Sequence, residues 1–91
     1  MVKQSAICVL VIDGDTFVTN TEVRIRLTRV SAPPISTSRG QRAKIILESL
    51  IPNKRITYEQ VAIDSYGRTL AEVWLNSTNV NDVMIRYGYG Q

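Results

Sequence analysis

The sequence predicts a mainly β domain of the α+β class, with five short strands and two to three helices. Three observations lead there. Residues 22–30 alternate, with Val23, Ile25 and Leu27 set against Arg24, Arg26 and Thr28, the period of a half-buried strand. Ala43, Ile46, Leu47 and Leu50 recur at i, i+3, i+4 and i+7, which makes one apolar helix face. Turn residues separate the remaining apolar runs at short intervals. The resulting order is three strands, a helix, two strands and a helix. Five strands with a helix between the third and fourth is the order of an OB-fold barrel.

Each element has its own signal. Residues 6–12 and 16–18 are apolar and β-branched and flank Asp13-Gly14-Asp15, which reads as a hairpin. In the strand over 22–30, period two puts the aliphatics on the core face and Arg24 and Arg26 on the other. Residues two apart in a strand are about 6.6 Å apart, so the two guanidiniums can bracket adjacent phosphates. Ser31-Ala32-Pro33-Pro34-Ile35-Ser36-Thr37 is a loop, because its prolines suit neither a helix nor a sheet interior. A helix opens at Ser38, with Gln41 three residues on as a capping box, and Pro52 marks its end. Arg39, Arg42 and Lys44 lie mostly off its apolar face. Residues 54–63 and 69–75 are two further strands, joined through Asp64-Ser65-Tyr66-Gly67-Arg68. Asn76-Ser77-Thr78 is a polar turn. Asn79 caps a short helix whose Val80, Val83, Met84 and Tyr87 share a face, and Gly88 ends it.

Composition bounds the function. The 91 residues suit one small domain. The net charge of +3 is mild, but its distribution is uneven. Arg24, Arg26, Arg29, Arg39, Arg42 and Lys44 fall between Val23 and Leu47 with no Asp or Glu among them. A polyanion is the natural partner of such a patch, and a solvated surface is the bland alternative. Arg24 and Arg29 fit solvated charges best. There is no histidine, which removes the commonest catalytic base and zinc ligand. Cys8 is the only cysteine; it excludes an internal disulfide and reads as a buried thiol. Ala6–Ile12 is too short to span a bilayer and is followed by acids rather than a cleavage site. No membrane association is expected, and the expected location is cytoplasmic.

Five pieces together resemble a known family. "VIDGDT" at 11–16, "VRIRLTRVSAP" at 23–33, "GQRA" at 40–43, "DSYGRTLAEVWL" at 64–75 and "NVNDVMIRYG" at 79–88 resemble the staphylococcal nuclease (thermonuclease-like) domain in order and spacing. That resemblance implies a five-stranded OB barrel with helices. It also implies calcium-dependent cleavage of phosphodiester bonds in DNA and RNA. Calcium takes hard, partly anionic oxygens, polarises the phosphoryl group and activates water, while arginines hold the phosphate. Carried over residue by residue, Asp15 matches the metal-binding aspartate and Arg26 the phosphate-binding arginine of the third strand. Arg68 matches the second catalytic arginine, Tyr66 the tyrosine beside the nucleotide phosphate, and Asn81 a structural asparagine. The chain stops at Gln91, so the resemblance implies a single domain over 1–91 without the family's C-terminal helix. Tyr89 is a candidate stand-in for an aromatic of that helix.

Two positions depart from the family. Ser31 stands where the second metal aspartate is expected, and Pro34 where the glutamate usually given as the base is expected. A neutral hydroxyl and a ring without oxygen replace two carboxylates, and no acid lies between Glu22 and Glu48. Asp13 serves the turn. The favoured reading is a domain of nuclease ancestry that binds DNA or RNA, single-stranded by preference, through Arg24, Arg26, Tyr66 and Arg68. On this reading its calcium site is weak or lost, hydrolysis is weak or absent, and Asp15 pairs with Arg26 or Arg68. One alternative is an active calcium-dependent endonuclease with a remodelled site. Another is a protein-interaction module in which these arginines are ion-pair partners. Trp74, inside a strand, reads as core; Tyr66 reads as a stacking platform or a loop anchor.

Overall fold

The computed structural model describes residues 3–91. Six strands form one sheet: β1 (Gln4–Asp13), β2 (Thr16–Thr19), β3 (Arg24–Leu27), β4 (Arg55–Ile63), β5 (Thr69–Leu75) and β6 (Thr78–Asn79). The sheet order is β3-β2-β1-β4-β5-β6, and β3 also pairs with β5 in parallel, with Ile25, Arg26 and Leu27 opposite Thr69, Leu70 and Ala71. That pairing closes the first five strands into the barrel the element order predicts. β1 serves two neighbours. Its residues Gln4–Ile7 pair with β4 and its residues Cys8–Asp13 with β2, with irregular register between Cys8 and Leu10. Such irregularities bend a strand around a barrel.

The apolar residues of the alternating strands meet inside. Phe17, Ile25, Leu27, Ile56 and Val73 are fully buried, as is Cys8. Helix α1 (Ser38–Leu50) closes one end of the barrel with Ala43 and Leu47. Helix α2 (Val80–Met84) packs Val80 and Met84 against the same core. Asn81 is completely buried between them. Its Oδ1 accepts from the Val73 N–H at 2.9 Å, and its Nδ2 donates to the carbonyls of Thr28 (2.9 Å) and Ala71 (3.0 Å). Three bonds pin α2 to β5 and to the exit of β3, and no buried side-chain polar atom is left unpaired among the described residues.

Several boundaries differ from expectation. The third strand is four residues long rather than nine, because Glu22 and Arg29 both sit at φ 65°, a left-handed conformation that ends a ladder. Thr37, not Ser38, caps α1: its Oγ1 accepts from the Gly40 N–H at 3.0 Å. The same hydroxyl donates to the Pro34 carbonyl at 2.7 Å, which selects it over its neighbour. β6 is an addition that pairs Asn79 and Thr78 with Trp74 and Leu75. Asn79 still caps α2, accepting from the Asp82 N–H at 2.8 Å. Beyond α2 the helical turn over Ile85–Tyr89 is kinked, with Gly88 at a non-helical φ of 99°. That turn breaks the 3.6-residue period. Tyr87 is therefore exposed, and Tyr89 is the aromatic that enters the core. Tyr89 is thus not free to contact a nucleotide. Trp74 is half-buried rather than core, with the Lys3 ammonium 4.0 Å from its ring centroid.

Candidate functional site

The site begins at the β1–β2 turn. Asp13 Oδ1 accepts from the Asp15 N–H at 3.0 Å, so Asp13 shapes the turn as expected. Gly14 between them is forced. A Cβ there would lie 2.4 Å from the Ala43 Cβ and 2.9 Å from the Ala32 Cβ. The turn, α1 and the loop after β3 therefore meet at a point where only glycine fits. This contact delivers Asp15 to the loop. The Ala32 N–H donates to Asp15 Oδ2 at 3.1 Å, and the Thr16 hydroxyl donates to Asp15 Oδ1 at 2.9 Å.

Two arginines approach the same place from different elements. Arg26 lies opposite Thr16 in the β2–β3 ladder. Its Nη2 stands 3.6 Å from Asp15 Oδ2 and donates to the Val30 carbonyl at 3.1 Å. Arg68 reaches the site because the parallel β3–β5 pairing brings the start of β5 beside β3. Its Nη1 donates to Thr16 Oγ1 at 3.4 Å. Arg68 does not pair with Asp15. Its Nε donates to Asp64 Oδ2 at 2.7 Å, while Asp64 Oδ1 accepts the N–H groups of Tyr66 and Arg68, each at 2.9 Å. Tyr66 is 76% exposed, and the Arg68 guanidinium lies 5.4 Å from its ring centroid, within cation–π range.

The two hairpin carboxyls differ in protonation. Burial pushes the Asp13 carboxyl up to about 6, helped by its contact with Asp15. Burial also opposes ionisation of Asp15. There it is outweighed by hydrogen bonds from Asp13, the Ala32 N–H and the Thr16 hydroxyl, and by the Arg26 charge, which hold Asp15 below the ordinary carboxylate range. Below about pH 6 the pair therefore keeps its proton on Asp13 and its charge on Asp15.

Of the residues singled out in the sequence, Asp15, Arg26, Arg68 and Tyr66 come together. Arg24 is exposed at the next outward position of β3 and has no ion pair among the described residues. Ser31 is exposed and joins the loop to the chain end through its N–H, which donates to the Tyr89 carbonyl at 2.8 Å. Pro34 is exposed, and its carbonyl receives the Thr37 N–H and hydroxyl. Arg29 is exposed, as expected, but it is paired rather than free. It grips Glu72 at 2.6 and 2.9 Å and Asp82 at 3.0 Å. Thr16, Asp64 and the Ala32 amide were not singled out. Only Asp64 has a sequence signal, an Asp opening a glycine-containing loop.

A calcium ion needs six to eight oxygens, several of them anionic. Here both oxygens of Asp15 are engaged, position 31 offers a neutral hydroxyl and position 34 none. Among the described residues, no three His, Cys, Asp or Glu side chains are grouped so as to hold a metal. The donor set does not fit calcium. What the site does offer is a pair of guanidiniums beside a hydroxyl and an exposed aromatic ring. No helix of the described residues is long and apolar enough to cross a membrane.

The chain matches a family described as staphylococcal nuclease homologue over residues 24–91. It is 34% identical over 92 residues to Protein ParB of Escherichia coli, covering 88% of this chain and 52% of that protein. It is 32% identical over 90 residues to an uncharacterized endonuclease of Haemophilus influenzae, covering 94% and 51%. It is 30% identical over 92 residues to a micrococcal nuclease of Shigella flexneri, covering 88% and 53%. The chain spans about half the length of the curated relatives it matches.

Proposed function

The chain belongs to the staphylococcal nuclease homologue family, and from that premise we propose that it binds DNA or RNA, single strands preferentially, with weak or no hydrolysis. One observation carries the reading: Arg26 and Arg68 converge on the Thr16–Asp15 corner while positions 31 and 34 carry no acid. Guanidiniums recognise phosphodiester oxygens directly. Tyr66, exposed beside Arg68, offers a face on which an unpaired base stacks, and stacking is tolerant of sequence. Arg24, Arg39, Arg42 and Lys44 have no ion pair among the described residues and supply the diffuse positive field that draws a polyanion in.

The test is an anisotropy titration of labelled single-stranded DNA and RNA at low salt in chelator. Binding that weakens in Arg26→Gln and Arg68→Gln is expected. No binding at any concentration up to those used for nonspecific binders sinks the proposal.

A second reading, a calcium-dependent nuclease working through a remodelled site, is favoured by the relatives named endonuclease and micrococcal nuclease. Cleavage of denatured DNA with calcium, abolished by Asp15→Ala and by Arg68→Ala, establishes it instead.

A further inference from the structure

We propose that Asp15 is a built-in competitor for the phosphate-binding groups, a carboxylate that occupies the donors a phosphodiester must take. This rests on the nucleic-acid reading above. Asp15 accepts hydrogen bonds from two local donors, the Ala32 N–H at 3.1 Å and the Thr16 hydroxyl at 2.9 Å, and forms an ion pair with the Arg26 guanidinium at 3.6 Å. Arg26 is turned inward to meet it. Its side chain is 17% exposed, and the same nitrogen also serves the Val30 carbonyl. The second guanidinium is compensated too, because Arg68 is paired with Asp64 at 2.7 Å. Two guanidiniums thus face two carboxylates, with Asp13 alongside, and the corner has no net positive charge to offer.

A divalent cation would reverse this by making Asp15 a ligand and releasing Arg26, but the donors present do not fit one. Without it, the Asp15 carboxylate stands where a phosphate oxygen must approach Arg26, and like charges in one site are repulsive. Removing that charge should therefore strengthen binding. In a site where Asp15 recruits a metal that holds the substrate, the same change should weaken it.

The experiment is the same anisotropy titration with a single-stranded oligonucleotide, in chelator and in calcium, for the wild type, Asp15→Asn, Asp15→Ser and Arg26→Gln. Asp15→Asn keeps the shape and the acceptor for Thr16; Asp15→Ser removes the same charge with a different side chain. Circular dichroism checks that each folds. In chelator, both Asp15 variants are expected to bind roughly three- to tenfold tighter than the wild type. Their slope of log affinity against log salt should steepen by about 0.7, one further phosphate neutralised on a single strand. Arg26→Gln should bind more weakly. Wild-type binding that is unchanged or weakened by both Asp15 substitutions overturns this inference and leaves the nucleic-acid reading standing. Absence of binding by the wild type and by every folded Asp15 variant overturns both.

Discussion

Asp13 carries a cost that its position in the turn imposes. Its carboxyl titrates at about 6 in the folded protein against an ordinary 3.8, chiefly through burial and then through Asp15. Between those values the native state holds a proton that the unfolded chain has released. Stability therefore falls as pH rises from 3.8 through about 6, and the loss is complete above that. Asp15 acts in the opposite sense. Its folded value lies below the ordinary one, so its contribution is present above 3.8 and is lost as pH falls below it. Asp13→Asn keeps the acceptor for the Asp15 N–H and removes the titration. It should raise the melting temperature in chelator at pH 7 and above. The gain should shrink through pH 6 and vanish below pH 4. A gain that is constant with pH would show that the Asp13 carboxyl is not the titrating group.

At the scale of elements, the loop after β3 is held by its contact with α1. A Cβ on Gly40 would lie 2.0 Å from the Pro34 carbonyl oxygen and 2.7 Å from that of Pro33. Both are backbone atoms, which cannot simply rotate away. Gly40→Ala should therefore destabilise by about 1–3 kcal/mol through overpacking, although alanine in a helix interior is ordinarily better by about 1 kcal/mol. Thr37→Ala should cost about 1 kcal/mol by removing the cap. Urea denaturation measures both, and a stabilised Gly40→Ala protein would mean that the loop gives way freely. The junction also explains what the sequence could and could not tell. Periodicity located α1, β5 and the apolar faces because these follow from local spacing. It could not choose between Thr37 and Ser38 as the cap, since both are hydroxyls and the Pro34 carbonyl decides. It overran β3 because Arg29 turns left-handed where Glu72 and Asp82 grip it, a constraint set by residues more than forty positions away. The same holds for the site. Asp15, Arg26, Arg68 and Tyr66 were legible as motif residues. Thr16 and Asp64 lie inside the same motifs but had no role assigned, because they act on other side chains rather than on a ligand.

Across the whole molecule, acids and bases are segregated by role. Arg26, Arg29 and Arg68 are each matched to carboxylates, whereas Arg24, Arg39, Arg42 and Lys44 have no ion pair among the described residues. On the proposed nucleic-acid binding, the unpaired set supplies long-range attraction, and affinity should fall steeply with salt accordingly. Within the paired set, Arg26 and Arg68 stand at the corner, and the proposed reading of that corner turns on two side chains. Restoring Asp at position 31 and Glu at position 34 separates the remaining possibilities. Neither position is held by its side chain: Ser31 is anchored through its N–H and Pro34 through its carbonyl. Losing the proline should cost only about 0.4–1 kcal/mol, so the double variant should fold. In chelator it should bind single-stranded DNA more weakly than the wild type, because two carboxylates are added beside Asp15. With calcium that order should reverse, since anionic oxygens then converge on a cation and free Arg26 for phosphate. Isothermal titration with calcium and cleavage of denatured DNA read the two consequences separately. Calcium binding with cleavage would show that positions 31 and 34 alone separate this corner from a metal-dependent one. A folded double variant that binds no calcium would place the shortfall elsewhere, in the grip of Arg26, Ala32 and Thr16 on Asp15.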